Sequence, residues 1–156
     1  MTFSLMTFGP RVVPLTSALQ LVGTPYVRGG VTPEIGFDCY TLMAYVRWHW
    51  FERTTPFAGI PARKLSPMQA CALGIRRALG MRVEALTPWH AIQTPIAGCA
   101  VALGHMRLGR GRLHHCGVWI EGGVLHAMEM LGVCWTPSER LPALFARMEF
   151  YECVPV

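Results

Sequence analysis

Apolar residues recur at helical spacing in one clear stretch: Leu42, Met43, Val46 and Trp50 share a face, so a helix is predicted from Cys39 to about Phe51. Pro14 to Val22 reads as a shorter helix stopped by Gly23. A third is predicted from Ser66, a good N-cap followed by Pro67, to Gly80. Between the first two lies TPYVRGGVTPEIG, a turn-rich loop. Thr54–Pro61 is another loop, and Met81–Ile96 has no clear period.

Beyond residue 99 the pattern changes to strand formers. Ala100–Leu103 reads as a strand. His115–Ile120 and Val124–Met128 form a hairpin around Glu121-Gly122-Gly123, and Val133–Trp135 adds a strand. Thr136-Pro137-Ser138-Glu139 has the form of a capping box and predicts a helix to about Arg147, before a last strand at Met148–Val154. Helices first and strands after make the fold class α+β.

A chain of 156 residues suits one core, here residues 15–156, with 1–14 as an N-terminal arm. The opening MTFSLMTFGP lacks a basic leader region and does not read as a secretory signal. No apolar run reaches 18 residues, so no membrane span is expected. The composition is 52% hydrophobic and 15% charged, with a mean hydropathy of +0.33, oily enough to expect burial against partners. The net charge of +5 is uneven: residues 1–115 hold 12 basic and 4 acidic residues, residues 116–156 hold 2 and 5. The basic part, including the loop Gly104–Leu113, would attract an anionic partner or stand as a solvated surface.

The six cysteines show no CxxC spacing and read mostly as small buried hydrophobes. Cys39 differs, because it opens a helix. Exposed backbone N–H groups and the helix dipole stabilise a thiolate there. A thiolate nucleophile needs an imidazole and a third group to orient it. His115 and His126, 11 residues apart on a predicted hairpin, share a face if the register is right.

Several local motifs join these residues. Gly23-Thr24-Pro25-Tyr26, Gly29-Gly30, Phe37-Asp38-Cys39, His115-Cys116-Gly117-Val118 and Leu125-His126-Ala127 follow one another as in the NlpC-type cell-wall peptidases, which the chain resembles over roughly residues 15–153. The resemblance implies a papain-like fold, N-terminal helices packed on an antiparallel β-sheet meander, and a cysteine peptidase needing no cofactor and no metal. It implies Cys39 as nucleophile, His115 as base, His126 as the orienting residue, and Tyr26 near the nucleophile, with backbone N–H groups at the helix start as oxyanion hole. Arg28, Asp38 and Tyr40 are expected around the substrate, Asp38 mainly through local hydrogen bonds. Arg107, Arg110 and Arg112 are further candidates for holding substrate carboxylates.

The sequence departs from the family pattern at Tyr40-Thr41, usually Ser-Gly or Trp-Gly, at Arg28, usually Trp, and at Gly98-Cys99, usually Gly-Asp. The substrate implied is the peptidoglycan stem peptide, cut between γ-D-glutamate and diaminopimelate. Short members of the family resemble phage tail-tip peptidases. That predicts a place in the virion tail beside other tail-tip proteins, synthesis in the host cytoplasm and action in the host wall. The alternative is a structural tail-tip protein with the same fold and little activity. Two rival readings are weaker. A metal site at His114-His115-Cys116, with His126 and Cys134, is disfavoured because adjacent strand residues face opposite ways and cannot all converge. The Gly104–Leu113 loop carries no nucleic-acid motif, so nucleic acid is not an expected partner.

Overall fold

The computed structural model describes residues 14–53, 55, 89–105 and 113–153. The expected helix Ser66–Gly80, the arm at 1–13, Cys71, Arg107, Arg110 and Arg112 lie outside these residues.

A short helix α1 (Leu15–Leu19) leads into the loop and a two-strand ladder, β1 (Val31–Thr32) with β2 (Gly36–Phe37). Helix α2 (Cys39–Phe51) follows with the bounds its apolar spacing predicts. A six-stranded antiparallel sheet contains β3 (Trp89–Ile92), β4 (Ala100–His105), β5 (His115–Ile120), β6 (Gly123–Met128), β7 (Gly132–Pro137) and β8 (Phe145–Cys153). Helix α3 (Leu141–Leu144) precedes β8. Among the described residues, no helix is long and apolar enough to cross a membrane.

The sheet order is β3-β8-β4-β5-β6-β7. Strands β4 to β7 form the expected meander, but β8 returns from the end of the chain to lie between β3 and β4. The hairpin β5–β6 turns on two residues, Glu121 (φ 41°) and Gly122 (φ 75°), whose left-handed backbones match the twist of the flanking strands.

The helix expected up to Arg147 stops at Leu144. Phe145 is already extended (φ −129°, ψ 126°), and β8 pairs with β3 on one side and β4 on the other. The β4 ladder, which pairs Phe145 with His105 and Arg147 with Gly104, outweighs the local helical pattern. Thr136 and Pro137 likewise belong to β7 rather than to a helix cap, with Thr136 opposite Val124.

The two faces of the sheet have separate cores. Cys116, Val118, Ile120, Leu125 and Ala127 pack with Leu42, Met43 and Val46 of α2. Val101, Leu103 and Val124 face the other way, under Leu141 and Phe145. Strand alternation therefore puts His126 on the second face, with Val124.

Arg47 fastens the later part of α2 to the far side of the sheet. Its fully buried guanidinium donates to Glu152 at 2.8 Å and to the Gly98 carbonyl at 2.6 Å, and lies over the Trp89 ring. Glu152 also accepts from Arg53 at 2.7 Å. Glu152→Ala would leave a buried cation without its carboxylate. The expected result is a loss of about 3 kcal/mol in urea unfolding; a change within error would show that the guanidinium finds other acceptors.

Candidate active site

The site starts at the N-cap of α2. Asp38 Oδ1 accepts from the amides of Tyr40 (3.0 Å) and Thr41 (2.9 Å), and Thr41 Oγ1 accepts in return from the Asp38 amide at 3.0 Å. This capping box satisfies donors that a helix start leaves open. Asp38 Oδ2 accepts from the Gly29 amide at 2.7 Å, which ties the preceding loop to the helix. The Pro25–Val27 segment runs beside Phe37: Phe37 N–H donates to the Pro25 carbonyl (3.1 Å) and Val27 N–H to the Phe37 carbonyl (3.0 Å). Tyr26 is thereby held beside the helix start.

Cys39 is the first residue of α2 and is only 1% exposed. Its pKa lies well below the ordinary thiol value. A hydrogen bond from the Cys116 thiol is the largest influence; burial opposes it; a hydrogen bond and the charge of His115 lower the pKa further. Cys39 thus meets the first two residues of β5. Burial pushes Cys99 up to about 11 and raises Cys134, so this acidification is not a general property of the chain's cysteines. The sequence reads Cys116 as a core hydrophobe; its position before Gly117 in the histidine motif was the only signal that it adjoins the site. Cys116→Ala removes that donor. The midpoint of Cys39 alkylation against pH is expected to rise, by about one unit; an unmoved midpoint would show the contact carries no weight.

Strand register brings the two histidines together. Gly117 pairs with His126 across β5–β6, which sets His115 diagonal to His126 on one face. His115 Nε2 lies 2.8 Å from His126 Nδ1, and His126 Nε2 lies 2.8 Å from Thr136 Oγ1. Gly117 is the reason the rings can meet. A Cβ there would stand 2.6 Å from the Leu125 carbonyl oxygen and 3.0 Å from His126 Cβ. The Phe145 ring stacks on His115 at 5.7 Å and meets His126 edge-on at 5.8 Å. His126 is fully buried, and burial first, then His115, lowers its pKa to about 3, so it is neutral at ordinary pH.

Tyr26 is half-buried. Burial first, then the charges of Cys39, Asp38 and Glu129, push its phenol up to about 12, so it remains a hydrogen-bond donor. Arg28 is exposed, 3.9 Å from Glu129. Asp38 and Tyr40 lie inside the fold, with Asp38 on main-chain amides and the Tyr40 hydroxyl donating to the Thr55 carbonyl at 3.3 Å.

No family model matches the sequence, and no curated protein matches it. Solved structures do. The NlpC/p60 domain of the peptidoglycan hydrolase SagA superposes with a TM-score of 0.50 at 20% identity, over 90% of this chain and 95% of that one. The fold is that of an NlpC/p60 domain. An NLP/P60-family protein similar to a lipoprotein, from Staphylococcus aureus, is also similar, with a TM-score of 0.46 and 18% identity over 93% of this chain and 44% of that one.

Within the NlpC/p60 fold one of the sequence departures has a local explanation. Thr41 supplies the return half of the capping box. Gly98 has φ 80° and faces the Phe51 ring, where a Cβ would stand 2.5 Å away, while its carbonyl receives Arg47. These residues support the helix and sheet that carry Cys39 and the histidines. His114, one residue before β5, bonds through its amide to the Leu103 carbonyl at 3.1 Å. Thr136 and Phe145 beside the histidines are additions the sequence did not single out as site residues, and Cys134 enters the sequence reading of a site only as a candidate metal ligand.

Proposed function

We propose that this protein is a cysteine peptidase acting on bacterial peptidoglycan stem peptides. The observation that carries the reading is the contact series from an acidified Cys39 through His115 to a neutral His126.

In this mechanism Cys39 Sγ attacks the amide carbonyl as thiolate, with its proton on His115. Nε2 of His115 faces His126, which leaves Nδ1 for the thiol. The tetrahedral oxyanion is stabilised at the helix start. Asp38 occupies the Tyr40 and Thr41 amides, and the Leu42 amide bonds the Asp38 carbonyl, so the Cys39 amide is the donor beside the sulfur. The Tyr26 hydroxyl is the second donor. His115 then protonates the leaving amine, a thioester forms, and water activated by His115 releases the acid. His126 acts by orienting His115, as the third member of other triads does.

The substrate assignment rests on the NlpC/p60 fold and on SagA being a peptidoglycan hydrolase. Arg28, exposed near Tyr26, is the proposed contact for a stem-peptide carboxylate, and the γ-D-glutamyl–diaminopimelate amide is the proposed bond. Mass spectrometry of fragments released from purified peptidoglycan tests both. New γ-glutamyl ends are the expected product, and cleavage elsewhere would reject the bond assignment. A place at a phage tail tip is the finer reading, supported by the oily composition and the exposed Met130 (93%) and Leu131 (66%).

One observation favours a second reading, a structural component of low activity: the 1% exposure of Cys39. Iodoacetamide labelling of the folded protein separates the two. Rapid labelling of Cys39 at neutral pH supports the peptidase, and none at all supports the structural role.

A further inference from the structure

The histidine pair does not end the series of contacts. His126 Nε2 reaches Thr136 Oγ1 at 2.8 Å, and the Cys134 sulfur lies 3.5 Å from the same nitrogen. Thr136 and Cys134 project from the same face of β7, two residues apart, opposite Val124 and His126 of β6. Thr136 is buried, and so is the whole His126 ring.

A neutral imidazole carries one N–H, and the neighbours decide which nitrogen holds it. If Nε2 of His126 holds the proton, Nδ1 is a bare acceptor. It then takes a hydrogen bond from His115 Nε2–H, and the other nitrogen of His115 is available for the Cys39 proton. If Nδ1 of His126 holds it, that N–H points at His115 Nε2 and forces the His115 proton onto the nitrogen facing the thiol. His115 is then useless as a base. A threonine hydroxyl can donate or accept, so Thr136 alone does not choose. What chooses is the chemistry at the far end: only with Thr136 Oγ1 accepting from Nε2–H is Nδ1 bare toward His115, and the Cys134 sulfur beside that nitrogen is a second, weaker acceptor for the same N–H.

We infer that Thr136, with its hydroxyl oxygen accepting from His126, is a positioning residue that holds His126 as the Nε2–H tautomer and so keeps His115 ready to take the Cys39 proton. This rests on the peptidase reading, which needs a bare Nδ1 on His126.

The effect of Thr136→Val is a loss of the acceptor with the side-chain shape kept. Turnover is expected to fall on the order of 10–100-fold with KM little changed, in the range for partners that orient a functional histidine. The pH midpoint of Cys39 alkylation is expected to rise by about one unit. Thr136→Ser keeps the hydroxyl and should restore both. A purely structural role would lower the melting temperature without moving the midpoint.

The deciding experiment is nitrogen NMR of histidine-labelled wild-type protein, with Thr136→Val and the double variant Thr136→Val/Cys134→Ala alongside. The expected wild-type result is a protonated, pyrrole-type Nε2 and a pyridine-type Nδ1 on His126, lost in Thr136→Val. A protonated Nδ1 in the wild type would overturn the inference, even if neither variant folds. Retention of the wild-type signals in Thr136→Val, or their loss only in the double variant, would also overturn it, the latter by giving the role to Cys134. Because no substrate is involved, the two readings fail separately: unchanged signals in Thr136→Val remove the role of Thr136 and leave the peptidase reading standing, a protonated Nδ1 in the wild type counts against both, and absence of peptidoglycan cleavage leaves the tautomer result standing.

Discussion

Cys39→Ala is expected to reduce release of amino groups from purified peptidoglycan by roughly ten-thousand-fold or more, to the level water reaches with the remaining oxyanion donors. The sulfur is the atom that forms the thioester, and among the described residues no second cysteine has its acidified environment. Cys99 and Cys134 are held toward the neutral thiol. Cys116 touches Cys39 but serves there as its hydrogen-bond donor. The variant should remain folded, because the exchange removes one atom from the core around α2 and leaves the Asp38 capping box intact. Circular dichroism and a thermal melt verify that. Equal release by the two proteins would remove Cys39 from the chemistry. If neither protein releases anything while both are folded, the structural reading gains, and the burial of Cys39 supplies its physical reason.

The legible parts of this fold are those whose causes are local in sequence. Helix α2 begins and ends where its apolar spacing and acidic cap predict, since both cap partners lie within three residues. The hairpin β5–β6 is equally local, set by the Glu121-Gly122 turn. The histidine pair follows from that register, so Cys39, His115 and His126 could be named before their geometry was seen. The misses come from contacts between distant residues. The helical spacing of Leu42, Met43, Val46 and Trp50 does not single out Arg47, whose carboxylate partner is 105 residues away on β8. The Thr136–Glu139 pattern satisfies the capping rule, yet pairing with β6 makes Thr136 a strand residue whose hydroxyl meets His126. Phe145 sits in a helical-looking stretch, and its pairing with His105 of β4 extends it over the histidines. Thr41, a departure from the family pattern after the nucleophile, closes the cap that holds the nucleophile's helix start.

His115→Ala is expected to act on the nucleophile before it acts on the reaction. Four influences set the acidity of Cys39 besides its place at the helix start: the Cys116 hydrogen bond and His115 favour the thiolate, and burial and the Asp38 charge disfavour it. Removing His115 takes away both a hydrogen bond and a nearby positive charge, while burial is unchanged, so the pKa must rise. Alkylation of Cys39, fast at neutral pH in the wild type, should then require more alkaline solution, moving toward or beyond the ordinary thiol value of about 8.5. Turnover carries a further loss, because no group remains to protonate the leaving amine. The combined fall should reach about 10²–10⁴-fold, the usual contribution of general acid–base catalysis. Raising the pH should recover the alkylation rate but not the turnover. That divergence identifies His115 as the proton carrier rather than only a partner of the thiolate. If alkaline solution restored both, proton transfer to the leaving group would have to come from elsewhere, with Tyr26 the nearest phenol to examine. If neither the midpoint nor turnover moved, the contact between His115 and Cys39 would have no part in the chemistry.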